Sequence, residues 1–411
     1  MNKFTYILFI AIVVIPTCTA AQMRKGNMLP GKVSTEQFGR NVKISADGTV
    51  LAVAAPFNSE HGDENGRIAV FEFDGNNWQM MGNEILPGAK DFFYGEMMEL
   101  SADGKKLVVA SPFGCVSIYD FDGKDWVKSP YKVQLENPTD LIQSISITPD
   151  ARKMAVSFDC QKHRTVCINL FDFNGIQWLQ DGLDLTPSPG EKIYSLSLSL
   201  SSNGQVLVAG NHSKDTKELN NAGEVLFYSQ EGNQWKQNIK SFFGNASSPN
   251  LGSVVQIAKN GDWVIAAGNS VDLLNADAGF VETYEITDHT KLKKLNPLKP
   301  ESRKSYFGHA IAISADGSRM ALSMPYEGYG KPGYVKVYKR ALQEWKEVSK
   351  IIDVDGVETT ALPNNSTGWS IALSADGNTL AVGFPHNDEN GDMSGKVVVY
   401  DLTSLTQTID D

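Results

Sequence analysis

The sequence predicts an all-β fold, a seven-bladed β-propeller of four-stranded antiparallel blades. Three observations carry the prediction. A Ser-Ala-Asp-Gly turn and its variants recur along the chain, centred on Gly48, Gly104, Ala151, Gly204, Gly261, Gly317 and Gly377, at spacings of 47 to 60 residues. Each copy lies between short apolar runs of strand length, and no long stretch has helical periodicity. The composition agrees, since 36 glycines, 13 tyrosines and 19 phenylalanines in 411 residues suit turns and half-buried strands. Length alone suggests two or three domains at ~150 residues each. The repeats replace that with a single domain, residues 22–411, whose blades begin near residues 36, 92, 140, 191, 250, 305 and 366.

Each blade is justified in the same way. In the first, Val42-Lys43-Ile44-Ser45 alternates into Asp47-Gly48, whose positive dihedral angles suit a tight hairpin, and the chain leaves through the apolar run Val50 to Ala55. These are strands A and B. A variable loop leads to strand C, found at Ile68 to Phe73, Val116 to Phe121, Cys167 to Phe173, Val225 to Tyr228, Phe280 to Tyr284, Tyr334 to Tyr338 and Val397 to Tyr400. A polar turn and usually a tryptophan (Trp78, Trp126, Trp178, Trp235, Trp345) then open a short strand D. Recurrence at one place in the repeat marks these tryptophans as packing residues between blades. Four-stranded sheets of this pattern bury both faces only by stacking radially. The seventh blade lacks a tryptophan-led strand D after Asp401-Leu402. Residues Gln22 to Gly31 match Gln79 to Gly88 almost residue for residue, so Met23 to Leu29 is predicted to be the outer strand of blade 7. The competing candidate is Leu405 to Ile409.

Residues 1–21 read as a secretory signal peptide: Lys3, ten apolar residues from Tyr6 to Ile15, then Pro16-Thr17-Cys18-Thr19-Ala20-Ala21, with cleavage after Ala20 or Ala21. That run is shorter than the ~20 residues a bilayer span requires. The chain is therefore expected to be extracellular, without membrane insertion after cleavage. Its net charge of −11, or −12 without Lys3, repels phosphate backbones and excludes nucleic acid as a partner. Of the cysteines that remain, Cys160 and Cys167 flank a hairpin mouth and form a disulfide candidate, leaving Cys115 over. Asn211, Asn245, Asn364 and Asn365 head glycosylation sequons.

The repeat has a wider likeness. Phe-Gly before strand A (Phe38-Gly39, Phe307-Gly308), Ser-Ala-Asp-Gly after it, an apolar strand ending in proline (Pro56, Pro325, Pro385) and a Gly-x-Val-x-Val-Tyr strand (Gly333 to Tyr338, Gly395 to Tyr400) together resemble the FG-GAP repeat class. Integrin alpha subunits use that class for their N-terminal seven-bladed propellers. The resemblance covers the chain after residue 21 and implies an extracellular adhesion or binding role. WD40 repeats are the competing class, but their Gly-His dipeptide is missing at the right offset and the B–C loops are too long. One departure matters: integrin-type repeats often hold calcium in an Asp-x-Asp-x-Asp-Gly loop between strands A and B, whereas here that loop is an Ala-Asp-Gly turn with one carboxylate. A cation taking six to eight oxygens is not held by that turn alone. No cofactor is expected; calcium stays open, with Asp63, Asp388 and Asp392 of the acidic B–C loops as the remaining metal candidates.

No catalytic motif emerges. The six histidines show no metal-site spacing, and Gly-x-Ser-x-Gly, Walker and dinucleotide-binding patterns are absent from the sequence. Loops displayed on a rigid scaffold are where binding is usually placed. The binding candidates are accordingly Tyr326 and Tyr329 of a Tyr/Gly-rich loop, with Asp63, Glu64, Asp388 and Glu389 of the acidic loops, all joining strands B and C on one face of the disk. The expected function is a secreted or cell-surface, non-enzymatic module that engages a protein or glycan through this face. The alternatives are a polysaccharide-active hydrolase or lyase using the central channel, or a structural matrix component. An enzyme needs convergent carboxylate, His, Tyr or Arg side chains from several blades, and the Phe-Gly and Ser-Ala-Asp-Gly positions repeat too closely to build such a cluster.

Overall fold

The computed structural model describes residues 23–60, 65–88, 92–112, 116–133, 135, 137, 140–187, 193–232, 234–245, 249–268, 279–287, 291–300, 306–326, 332–351 and 366–406. It is a seven-bladed propeller of seven four-stranded antiparallel sheets. Blade 1 contains Asn41–Ile44, Val50–Ala55, Arg67–Phe73 and Trp78–Met80 as strands A to D, and the next five blades repeat that order. The A strands are innermost and touch in sequence around the ring, with Ile371–Leu373 of blade 7 returning to Asn41–Ile44. Hydrophobic cores lie between blades: Ala54, Ile68 and Val70 of blade 1 pack with Met98, Leu107 and Val109 of blade 2. Strand B is sealed on both faces, which explains its small residues; Ala52, Ala54 and Ala55 are fully buried. No helix among the described residues is long and apolar enough to cross a membrane.

The recurring turn is built around its own side chains. Ser45 Oγ donates to Asp47 Oδ1 and accepts from the Val50 amide at 2.9 Å, while Asp47 Oδ1 also accepts from the Thr49 amide at 3.0 Å. Gly48 takes φ +69°, which a side chain resists. The same serine-to-aspartate bond recurs at Ser101, Ser314 and Ser374, and Thr148 to Asp150 copies it in the degenerate blade 3. Burial raises the Asp47 carboxyl, but hydrogen bonds from Ser45 and Thr49 outweigh it and hold the group below the usual carboxylate range.

Adjacent turns are also joined by backbone. The amides of Ala46, Ala102, Ser202, Asn260, Ala315 and Ala375 donate to carbonyls of the next blade at Ala102, Pro149, Lys259, Ala315, Ala375 and Ala46, at 2.7 to 3.1 Å. The ring passes from blade 7 back to blade 1. Its blade 3 to blade 4 link is missing because that position is Pro149, which has no N–H. The Phe-Gly motif supplies a second seam. Phe38 bridges to Gly395 of the preceding blade, Tyr94 to Gly66, Leu251 to Gly223 and Phe307 to Gly279. Gly39 sits at φ +90° with the Lys396 carbonyl 2.7 Å from where a Cβ would stand, so no side chain fits there.

The N terminus closes blade 7. Leu29–Pro30 pairs antiparallel with Val397 and Lys396, Arg24 bridges to Tyr400, and the Lys25 amide donates to the Val399 carbonyl at 2.8 Å. The likeness between residues 22–31 and 79–88 has a structural counterpart: the Lys25 carbonyl accepts from Trp78 Nε1 just as the Met81 carbonyl accepts from Trp126 Nε1, both at 2.8 Å. Of the competing segment Leu405 to Ile409, Leu405 and Thr406 lie in a 3-10 turn over Thr403–Thr406, and the rest lies outside the described residues. Deleting residues 23–30 is expected to lower the melting temperature by several degrees. Met23 and Leu29 are both buried, and losing two such side chains forfeits roughly 3–6 kcal/mol. An unchanged melting curve for the deletion variant contradicts this role.

Candidate functional site

The axial channel holds a cavity of about 620 Å³ lined by the A strands and their turns. Its charged side chains are engaged by neighbouring groups. Lys43 Nζ lies 2.8 Å from Glu99 Oε1, and Asp316 accepts from Ser314 and Ser318 within its own turn. Lys259 stands where four other turns carry alanine; burial pulls its pKa down, and Glu99 works against that shift. Of the carboxylates in the described lining, Glu99 is ion-paired and Asp316 is hydrogen-bonded within its turn, which disfavours glycoside hydrolysis by two free carboxyl groups in the channel.

The opposite end of the channel is different. Five of the A strands, in blades 1, 2, 5, 6 and 7, are preceded by Phe-Gly or a variant, and the residue after the glycine changes from blade to blade: Arg40, Glu96, Ser253, His309 and Trp369. Because Phe and Gly are pinned to the neighbouring blade, this third position is held at the start of strand A, on the side of the B–C loops. Four copies touch in ring order. The His309 imidazole lies 4.5 Å from the Trp369 ring, the Arg40 guanidinium lies 4.3 Å over the same indole, and Arg40 Nη2 is 3.6 Å from Glu96 Oε1.

The B–C loops extend this cluster. His386, opening the loop of blade 7, lies 5.6 Å from Trp369 ring to ring and shares a 2.7 Å hydrogen bond between Nδ1 and Ser366 Oγ. Ser366 Oγ also donates to Tyr326 Oη at 3.2 Å, and Tyr326 meets Tyr306 edge-on at 5.5 Å. Arg40 reaches Phe57 of the blade 1 loop at 5.6 Å. Burial, aided by the Arg40 charge, pushes His309 down to about 4, and the same two causes push His386 down against Asp388. Blades 6, 7 and 1 therefore converge on neutral imidazoles, a cation, an indole and a phenol.

Of the sequence candidates, Tyr326 belongs to this cluster. Asp388 does not: its carboxylate accepts from the Met393 amide at 2.8 Å inside the loop, while Glu389 and Asp392 are exposed. That loop docks on the N-terminal arm through Asn390 Nδ2 to Gly31 O at 2.8 Å, and Asp388 acts on the cluster through its charge near His386. Tyr329, Asp63, Glu64, Asn364, Asn365, Cys115 and the signal segment lie outside the described residues. Two expectations are corrected. Asn211 is 1% exposed at the end of strand Val206–Asn211, leaving no room for a glycan on the folded chain, whereas Asn245 is exposed. Cys160 and Cys167 are free buried thiols rather than a disulfide, because the ladder sets Thr165, not Cys167, opposite Cys160. Sequence reasoning missed Arg40, His309, Trp369 and His386. It weighed the constant Phe-Gly pair and not the variable residue after it; aligning the repeats and reading that column exposes three of the four.

The comparisons with known proteins give the fold. No protein-family model and no curated protein matches this chain. Among solved structures, the chain is similar to the β-propeller domain of Cps50 (Swd1) from Myceliophteria thermophila, with a TM-score of 0.60 and 13% identity, over 92% of this chain and 99% of that one.

Proposed function

We propose that this chain is a secreted or cell-surface binding propeller of the FG-GAP kind, engaging a protein or glycan through its B–C loop face without catalysis. The observation that carries the reading is the cluster of Arg40, His309, Trp369, His386 and Tyr326 on that face. An indole, a phenol and a fixed guanidinium offer stacking area and directional donors on a scaffold that loses little freedom on binding. Secretion is supported by the pattern of residues 1–21, and the FG-GAP assignment by the two inter-blade motifs. The test is a glycan and surface-protein array probed with the purified chain, with and without calcium. Trp369→Ala and Arg40→Ala, checked for intact folding by circular dichroism, should each weaken the captured interaction at least ~10-fold. Equal binding by both variants and the parent removes the cluster from the interface.

The same cluster favours one second reading. Elimination of a uronate-containing polysaccharide needs a cation for the carboxylate, a base for the adjacent proton and an acid for the leaving oxygen. Arg40, neutral His309 and Tyr326 supply those three groups. Ultraviolet-absorbing unsaturated product from a panel of acidic polysaccharides, lost in His309→Gln, establishes that reading and displaces the first.

A further inference from the structure

The B–C hairpin of blade 3 carries a second constellation that the binding face does not use. Cys160 ends strand Lys153–Cys160 and Cys167 lies in strand Thr165–Phe173. The ladder pairs Cys160 with Thr165 and Phe158 with Cys167, so the two cysteines are diagonal neighbours on one face. Both are buried. His163 sits in the connecting turn, its amide bonded to the Cys160 carbonyl at 3.2 Å. Asp184 arrives from the segment after strand D, where Leu185 and Ile168 exchange backbone hydrogen bonds at 2.9 and 3.0 Å and thereby set Asp184 beside Cys167. One ligand atom from each of Cys160, His163, Cys167 and Asp184 lies within 4.8 Å of all the others.

We propose that these four side chains bind a zinc ion. Two sulfurs, one imidazole nitrogen and one carboxylate oxygen form a donor set for a tetrahedral, borderline-soft cation, whereas calcium and magnesium take oxygen ligands. A tetrahedron with zinc–ligand distances of about 2.0–2.3 Å places its corners roughly 3.3–3.8 Å apart. His163 Nε2 is already 3.4 Å from Asp184 Oδ2. The surroundings orient the carboxylate. Gln180 Nε2 donates to Asp184 Oδ1 at 3.1 Å, and buried Asn169, in the amide orientation that satisfies both of its polar atoms, donates to the same oxygen at 2.9 Å. Two thiolates and a carboxylate around a divalent ion leave one negative charge, and the Lys162 ammonium stands 3.8 Å from Asp184 Oδ2 to offset it. With four protein ligands the site is closed, so it acts as a structural clamp that fastens the hairpin to the segment after strand D. The diagonal register supports this over a disulfide: diagonal neighbours stand about 7–8 Å apart, beyond the usual ~4.4–6.8 Å Cα separation of a bridged pair.

The test uses the full chain, equilibrated with zinc and then dialysed against metal-free buffer. Elemental analysis should find about one zinc per chain. Thiol reagents should label Cys160 and Cys167 only after a chelator is added, and cobalt(II) added to the stripped protein should give thiolate-to-metal charge-transfer absorption. Cys167→Ser should lose both signals. His163 is exposed, so His163→Gln leaves the core intact and should lose the zinc while keeping the parent's circular dichroism. A zinc-free chain whose Cys160 and Cys167 are joined by a disulfide overturns the proposal. So does a His163→Gln variant that holds zinc as firmly as the parent.

Discussion

Replacing Arg67 with alanine is expected to destabilise the propeller by about 3–5 kcal/mol, because it leaves Glu36 as an uncompensated charge in the interior. Arg67 opens strand C of blade 1 at 1% exposure, and Glu36 is fully buried. The guanidinium forks onto the carboxylate, Nε to Oε2 at 2.9 Å and Nη2 to Oε1 at 3.0 Å, while Nη1 reaches Glu84 at 2.7 Å. Glu36 also accepts from Asn58 Nδ2 at 2.7 Å and from the amides of Val33 and Lys32. Burial raises the Glu36 carboxyl, but the hydrogen bond and charge of Arg67 outweigh it and hold the group below the usual range. One carboxylate thus ties the N-terminal arm, the first B–C loop and strand C together where blade 7 meets blade 1. Arg67→Lys keeps the charge without the fork and should fall between the two. The paired substitution Arg67→Met with Glu36→Gln should lose less than Arg67→Ala, since no lone charge remains. Urea denaturation measures all three; a loss under about 1 kcal/mol for Arg67→Ala contradicts the argument.

The fold was legible in the sequence because its determinants are local and repeated. Ser45, Asp47 and Gly48 bond within one turn, so the pattern that forms the turn is also the pattern that announces it. The closing strand was legible for a related reason: Lys25 does for Trp78 what Met81 does for Trp126, and equal tasks keep similar residues. The site was less visible. Arg40, Trp369 and His309 lie far apart in the chain and meet only because seven similar units close into a ring, and only Tyr326 stood out locally. The Cys160, His163, Cys167 and Asp184 group was hidden differently. Reading the two cysteines as a pair across a hairpin mouth fixed attention on the bridge, while the fourth member comes from beyond strand D, where a lone aspartate carries no signal. The Arg67 and Glu36 pair was also unreadable, since both look like surface residues until the arm folds over strand C.

Acidification through the window between pH 6.5 and 4 is expected to destabilise the fold, with His309 the principal cause. In the folded chain burial, then Arg40, lowers His309 from 6.5 to about 4. An exposed imidazole in the unfolded chain titrates at its ordinary value. Between those values the unfolded state binds the extra proton, so stability is fully present above pH 6.5, falls as pH drops through the window, and levels off once both forms are charged near pH 4. The whole interval corresponds to about 3 kcal/mol. His386, lowered by the same two causes, acts in the same direction. Denaturation at several pH values should show His309→Gln losing most of this slope; equal slopes in variant and parent contradict it. The titration also reports on the ligand. Protonated His309 would add a second positive charge beside Arg40, which lies against the same indole. A partner presenting a carboxylate or sulfate there must bind the protonated state better, and linkage then requires its affinity to rise as pH falls through the window toward about 4. A neutral glycan has no such preference and should weaken or stay constant, so the sign of the pH dependence identifies the ligand's charge before its structure is known.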